Sequence, residues 1–325
     1  MNPKQKALPF HRHVLNAASK MPEELAAEWL RRHGLLGFAD TEALPSSVRD
    51  ALKAQRSTQR ALNTLIVWKF QEIVDALEGI PVCALKGVHL LELLYSEDWG
   101  IRPLMDLDLL IPVEAVDDAV HVLTRELGFV EDSDSYRLRF RSHHRLLKSP
   151  ELNLELHYKL AIKHGRRSDW NVVQPVQVVL HERNVHVLKK EVLFVHLVSH
   201  FVKHGPYACL KWAEDIVRLL DLGLNWEQVV TESRQLGAHR SLAAGLRMIA
   251  RVCDETDLFA GVMETSPFDG LLIRLNEQLF WRESCLSGVK GGSPPSRFQR
   301  GAVALLLSDS WVDAFKFIML KRPVA

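Results

Sequence analysis

The reading of the fold turns on "VCALKGVHLLELLYSEDWGIRPLMDLDLLIP", residues 82–112. "IPVCAL" (80–85) is a short apolar run that suits a buried strand, "GVHLLELLY" (87–95) then suits a helix, and "LDLLI" (107–111) is a second buried strand. Between them Arg102 precedes Pro103, which disfavours helix at that point. Strand geometry turns Asp106 and Asp108 to one face and Leu107 and Leu109 to the other. Ionised carboxylates beside buried leucines are costly unless something compensates their desolvation. Two readings follow: a strand that shows two aspartates to solvent, or a rigid strand that holds them for a cation.

The surrounding chain changes period twice. Residues 1–78 read as a helical region. "PEELAAEWLRRHG" has a proline near its start and Gly34 at its end, and Leu44-Pro45-Ser46-Ser47 breaks the chain. "STQRALNTLIVWKFQEIVDALEG" then carries Leu62, Leu65, Ile66, Ile73 and Leu77 at helical spacing and closes on Gly79. Downstream of the aspartates, "PVEAVDDAVHVLTRELG" is an amphipathic helix from Pro112 to Gly128. "YRLRFR", "HRLLKS" and "LNLELHY" alternate with a period of two, the last two joined by the turn Ser149-Pro150-Glu151. From about Lys189 the chain reads as helix again, in "KKEVLFVHLVSHFVKHG", "CLKWAEDIVRLLDLG" and, after an exposed connection at 288–297, "AVALLL" and "DSWVDAFKFIMLK". The pattern predicts an α+β architecture with a mixed sheet: an N-terminal helical region (1–78), an α/β domain (79–185) and a C-terminal helical domain (186–325).

The carboxylates form a constellation. In "LNLELHY", Leu152, Leu154 and Leu156 share one face, and Asn153, Glu155 and His157 the other. If the two strands are neighbours, Glu155 approaches Asp106 and Asp108, and three carboxylates that close require a cation between them. Mg²⁺ suits hard oxygen ligands and phosphate oxygens. Lys86-Gly87 falls between a strand and a helix start, where free backbone N–H groups favour a phosphate.

The order "ALKGVHLLELLY", "RPLMDLDLLIP", a helix ending in "LGF", and "LNLELHYKL" resembles the nucleotidyltransferase-like proteins of the DNA polymerase β superfold, and most closely the bacterial group called nucleotidyltransferase family 5. "HLVSHFVKHG", "LKWAEDIVRLL", "LNW" and "LLLSDSWVDAFKFI" look like that family's helical tail, so the resemblance runs from about Glu28 to Phe317. It implies a polymerase-β-type module and metal-dependent transfer of NMP from an NTP to an acceptor hydroxyl or phosphate. ATP and AMP are the default, since no residue identifies the base. By position, Asp106 and Asp108 would bind Mg²⁺ (or Mn²⁺) and nucleotide phosphates. Glu155 takes the place of the third, catalytic carboxylate, Gly87 that of the phosphate-loop glycine, and Lys86 is a phosphate contact. One departure stands out: the superfold usually shows Gly-Gly or Gly-Ser before its helix, whereas this chain has Lys86-Gly87-Val88.

Other residues admit two readings each. Arg102 could hold a triphosphate or pair with the carboxylates through its planar fork, or be an ordinary loop salt bridge. Arg139 and Arg141 share a strand face with Arg137, either to receive a phosphate or an acidic acceptor or as a solvated sheet face or charged edge. His157 could orient Glu155 or contact a phosphate, or be a satisfied core histidine. His196, His200 and His204 recur every four residues; the resemblance to the family's tail implies that they border the nucleotide or acceptor cleft with Asp215 nearby, and the other reading is helix-to-helix hydrogen bonding. Trp212 and Trp226 pack the helical tail.

Composition narrows the classes. The chain has 325 residues, 47% hydrophobic and 25% charged, with a net charge of +1, ordinary globular values that predict no nucleic-acid coat and no anionic membrane partner. Cys83, Cys209, Cys253 and Cys285 form no CxxC pair, which argues against a zinc ribbon or thioredoxin-type site and fits a reducing compartment. No apolar run suits a signal peptide or a membrane span, and a cytoplasmic protein is expected. "HLVSH" lacks the glutamate of HExxH, and GxSxG, GxGxxG and GxxxxGK[ST] do not occur. Partners expected are an NTP and an unknown small-molecule or protein acceptor. Two alternatives remain: a non-catalytic nucleotide- or peptide-binding accessory module, and a protein-modifying antitoxin.

Overall fold

The computed structural model describes residues 7–132, 143–160, 168–204, 209–255, 258–259, 262, 266–280 and 306–307. Among these the chain is α+β, with one mixed seven-stranded sheet. Its strands are β1 (Cys83–Ala84), β2 (Leu107–Leu110), β3 (Val130–Glu131), β4 (His144–Lys148), β5 (Asn153–His157), β6 (Val176–Leu180) and β7 (Arg183–Val187), in the order β3-β4-β5-β2-β1-β7-β6. The β2–β5 and β1–β7 pairs are parallel and the other four antiparallel. By its contacts the chain divides into two units, one of Met1–Lys53, Ile162–Arg166 and Phe194–Ala325, the other of Ala54–Ala161 and Arg167–Leu193. No helix among the described residues is long and apolar enough to cross a membrane.

The sheet belongs to the second unit. Alternation along its strands gives it one continuous apolar face: Leu107 and Leu109 of β2, Leu154 and Leu156 of β5, Ala84 of β1 and Val185 and Val187 of β7 join a single core. The helix Lys86–Tyr95 adds Val88, Leu91 and Tyr95, and the helix Val116–Glu126 adds Val116, Ala119, Val120 and Leu123. Each fully buried aliphatic side chain there contributes on the order of 1.5–3 kcal/mol.

The long helix Ser46–Ala76 reads differently in three dimensions. Its buried stripe is Gln59, Asn63, Ile66, Phe70 and Ile73, continued by Leu77 just past the helix, at steps of three and four. Leu62 and Leu65, expected on the apolar face, are 48% and 38% exposed. The stripe begins on two amides because they hold a loop rather than fill a core. Asn63 Nδ2 donates to the Arg102 carbonyl (2.8 Å), its Oδ1 accepts from the Leu104 N–H (3.2 Å), and Gln59 Nε2 donates to the Leu104 carbonyl (3.3 Å). Asp98, at the other end of that loop, accepts from Arg60 (3.0 Å), from the Gly100 N–H (2.8 Å) and from Arg56.

One hairpin escapes sequence patterning. β6 and β7 are joined by His181-Glu182, both at positive φ (46° and 62°), as a two-residue primed turn requires. Asn-Gly is the usual signal for such a turn. Here tertiary contacts hold it: His181 Nε2 lies 3.0 Å from the Val88 carbonyl oxygen, with its ring edge-on to Phe70 and Trp99.

The first unit is helical: Ala7–Ala18, Glu23–Arg32, Lys211–Asp221, Trp226–Gln235, His239–Val252, Pro267–Phe280 and the part of Lys190–His204 from Phe194. Trp226 meets Phe194 and Phe259 edge-on, in keeping with a packing role. His33, just past the helix Glu23–Arg32, accepts from the Leu210 N–H at Nδ1 (3.3 Å) and from the Lys211 N–H at its carbonyl (3.0 Å), tying two helix ends together. "YRLRFR" and most of the final helical pair lie outside the described residues.

Candidate active site

The parallel register of β2 on β5 sets Asp108 directly opposite Glu155 and Leu110 opposite His157. Cross-strand partners point the same way, so Asp108, Glu155 and His157 share the face opposite Leu107, Leu109, Leu154 and Leu156, with Leu110 beside them. Their ligand atoms lie within 4.8 Å of one another. Asp106 sits just before β2 and is exposed. Gly87, second residue of the helix Lys86–Tyr95, lies against the same loop: a Cβ added there would come 3.8 Å from the Asp106 carbonyl oxygen and 3.4 Å from Leu104. The amides of Gln59 and Asn63 therefore grip the segment that delivers Asp106 and Asp108 to the sheet.

Asp108 is 3% exposed, and its Oδ1 receives two donors, Lys86 Nζ and His157 Nε2, each at 3.0 Å. His157, 1% exposed, also reaches Glu155 Oε2 with Nε2, at 3.2 Å. Burial alone would raise the Asp108 pKa, but Lys86 and His157 hold it well below the usual carboxylate range. Burial disfavours the His157 charge, yet its bonds to Asp108 and Glu155 outweigh this and raise its pKa. Glu155 is pulled down against its own burial by His157. Lys86 is kept charged, burial notwithstanding, by Asp108 first and by the fields of Glu155 and Asp106. Asp108 and Glu155 thus share the pocket with Lys86 and His157 and offer oxygen donors of the kind a hard cation takes, while Asp106 acts on Lys86 from its exposed position just before β2. The Glu155 side chain is 31% exposed, so this pocket of charge opens toward solvent on the β5 side.

Lys86 adopts a left-handed backbone (φ 35°), uncommon for a residue with a side chain, at the very start of its helix. Its ammonium turns back to Asp108. Sequence reasoning read Lys86 only as a phosphate contact and so missed this pair, along with the loop-holding amides of Gln59 and Asn63. A signal for the amides exists in the sequence: two of them spaced i, i+4 in line with an apolar stripe.

The remaining candidates fall elsewhere. Arg102 is 5% exposed and lies in the loop held by Asn63. Arg139 and Arg141 lie outside the described residues. His200 and Asp215 belong to the helical unit: His200 packs its ring on His204 (4.5 Å) and on Trp212 (4.8 Å), and Asp215 is fully buried.

A family model described as an uncharacterised nucleotidyltransferase matches residues 20–254. The chain is similar to the crystal structure of an antigenic nucleotidyltransferase-like protein from Paracoccidioides brasiliensis, at 17% identity and a TM-score of 0.42, over 62% of this chain and 91% of that one. No curated protein matches.

Proposed function

The chain belongs to the uncharacterised nucleotidyltransferase family, and on that premise we propose that it transfers an NMP, with AMP favoured, from an NTP to an acceptor hydroxyl or phosphate, on a sheet of the polymerase-β type. The observation that carries the reading is the β2–β5 register, which sets Asp108 opposite Glu155 on the polar face with Asp106 two residues before it. Their oxygen donors fit Mg²⁺ or Mn²⁺, and Asp106, Asp108 and Glu155 would hold it. When bound, such ions stabilise the attacking and leaving oxygens of an in-line displacement.

The protein's own groups do the rest. Lys86 neutralises Asp108 in the resting site and would turn toward a phosphate when that carboxylate takes another partner. Gly87, without a side chain, lets the loop that carries Asp106 lie close to the start of its helix, whose backbone N–H groups would face the phosphates. Glu155, kept ionised and fixed by His157, orients the acceptor hydroxyl and receives its proton as the new O–P bond forms and pyrophosphate leaves.

A second reading has one observation in its favour. Lys86 already supplies Asp108 with a buried positive partner, which a metal-free nucleotide- or peptide-binding module would keep. Calorimetric titration of ATP, GTP, CTP and UTP, with and without Mg²⁺ or Mn²⁺, separates the two. The transferase reading expects affinity that depends on the metal and drops at least ~10-fold in Asp106→Asn. That substitution is exposed and leaves the Lys86–Asp108 pair intact. Binding that ignores both the metal and the substitution points to the binding module.

A further inference from the structure

Beside the carboxylates lies a second cluster of different chemistry. His144 of β4 is the direct cross-strand partner of His157 of β5, so the two rings stand on one face. His143 immediately precedes β4, and its carbonyl is pinned by the Tyr158 N–H at 3.1 Å. The three rings enclose a small triangle, with centroids 4.6 Å apart for His143–His144, 5.5 Å for His143–His157 and 5.1 Å for His144–His157. From each of them one ring nitrogen lies within 4.8 Å of the others.

We propose that His143, His144 and His157 form a binding site for a transition-metal ion of the Zn²⁺ class, separate from the carboxylate site that would serve Mg²⁺. Three observations carry it. Imidazoles that bind one ion at about 2.0–2.1 Å in a tetrahedral set have ring centroids about 5 Å apart, which is the spacing here. His157 has its Nε2 engaged by Asp108 and Glu155, while its Nδ1 is buried without a hydrogen-bond partner. A buried polar atom left so carries a desolvation cost that a ligand would remove. A metal-bound imidazole almost always gives its other N–H to a carboxylate, and His157 has that arrangement ready-made. His143 and His144 are half-buried, which leaves the ion a way in. Three neutral nitrogen donors favour Zn²⁺, Co²⁺ or Ni²⁺ over Mg²⁺. On binding, the proton on His157 Nδ1 leaves to solvent, while the Nε2 proton stays between the carboxylates. The site would share one residue with the nucleotide chemistry and does not depend on it.

The test uses the full chain without a histidine tag, stripped with chelator and kept in a large excess of Mg²⁺. Zn²⁺ is titrated by calorimetry and Co²⁺ by visible absorption, in the wild type, His143→Asn, His144→Asn and Asp106→Asn. The expected result is one Zn²⁺ per chain, an intense four-coordinate Co²⁺ spectrum, at least ~10-fold weaker binding in each histidine variant, and unchanged binding in Asp106→Asn. His143 lies outside the strand, so its variant reads the site even if β4 does not tolerate His144→Asn. No Zn²⁺ uptake by the wild type, undiminished uptake in a folded His143→Asn, or loss in Asp106→Asn would overturn the proposal. Mg²⁺-dependent NTP binding, measured on the same samples, fails or holds independently of these outcomes.

Discussion

Asp108 shows how a sequence motif conceals its energetics. It is almost fully buried beside Lys86 and His157, so its charge is balanced within the protein. Removing one member of a buried pair leaves the other uncompensated, at about 3–5 kcal/mol, whereas removing both is far milder. Asp108→Asn is therefore expected to lower stability by ~3 kcal/mol, and Lys86→Met by a similar amount, in urea unfolding. The double variant should lose much less than the sum. Strict additivity would mean that the two groups do not compensate each other. The aspartates and Glu155 were legible from strand alternation, since side-chain direction depends on local geometry alone. The partner of Asp108 was not, because Lys86 reaches it across strands, and "LKG" has the same local appearance whether its lysine faces a phosphate or a carboxylate.

Elements show the same division. The helices Lys86–Tyr95 and Val116–Glu126 and the strands β2, β4 and β5 arose where period and punctuation placed them, because a helix or an alternating strand is encoded within its own few residues. The β6–β7 hairpin was not foreseen: its turn is His181-Glu182, and it is stable through what His181 touches. Leu62 and Leu65 stand at helical spacing with the buried residues, yet Gln59 and Asn63 lie on the buried line instead. In the helical unit, a Cβ at Gly245 would come 2.2 Å from Val198 Cγ1 and 2.9 Å from Val202 Cγ2, so the helices His239–Val252 and Lys190–His204 meet there without space for a methyl. Gly245→Ala is expected to destabilise by about 1–3 kcal/mol, since it forces two packed valines to move, although alanine is the better helix former. A urea midpoint equal to wild type or higher would show that the approach is not so close.

The whole molecule should lose stability as the pH falls below about 6.5, through buried histidines in both units. Burial first, and Arg32 second, lower the His33 pKa to about 4, while burial and then His181 lower that of His89 to about 4. Unfolded, both rings titrate near 6.5, so between pH 6.5 and 4 the unfolded chain binds protons that the folded chain refuses, and stability falls as the pH drops. His157 has the opposite sign. Its raised pKa gives stability that is complete below 6.5 and lost as the pH rises through its folded value. Thermal melts from pH 4 to 7 should show the acid limb, and His33→Asn, which keeps an acceptor for the Leu210 N–H, should flatten it by ~1–3 kcal/mol. An acid limb identical in that variant would remove His33 from the account. By itself the sequence determined the elements around the site, the polar faces of β2 and β5 and the family, because all of these follow from periodicity and motif order along the chain. Only the tertiary structure decided that Lys86 and His157 neutralise Asp108, that Gln59 and Asn63 hold its loop, and that three histidines meet beside it. Those contacts join residues of different elements, and their free energy depends on burial and strand register, which no local pattern specifies.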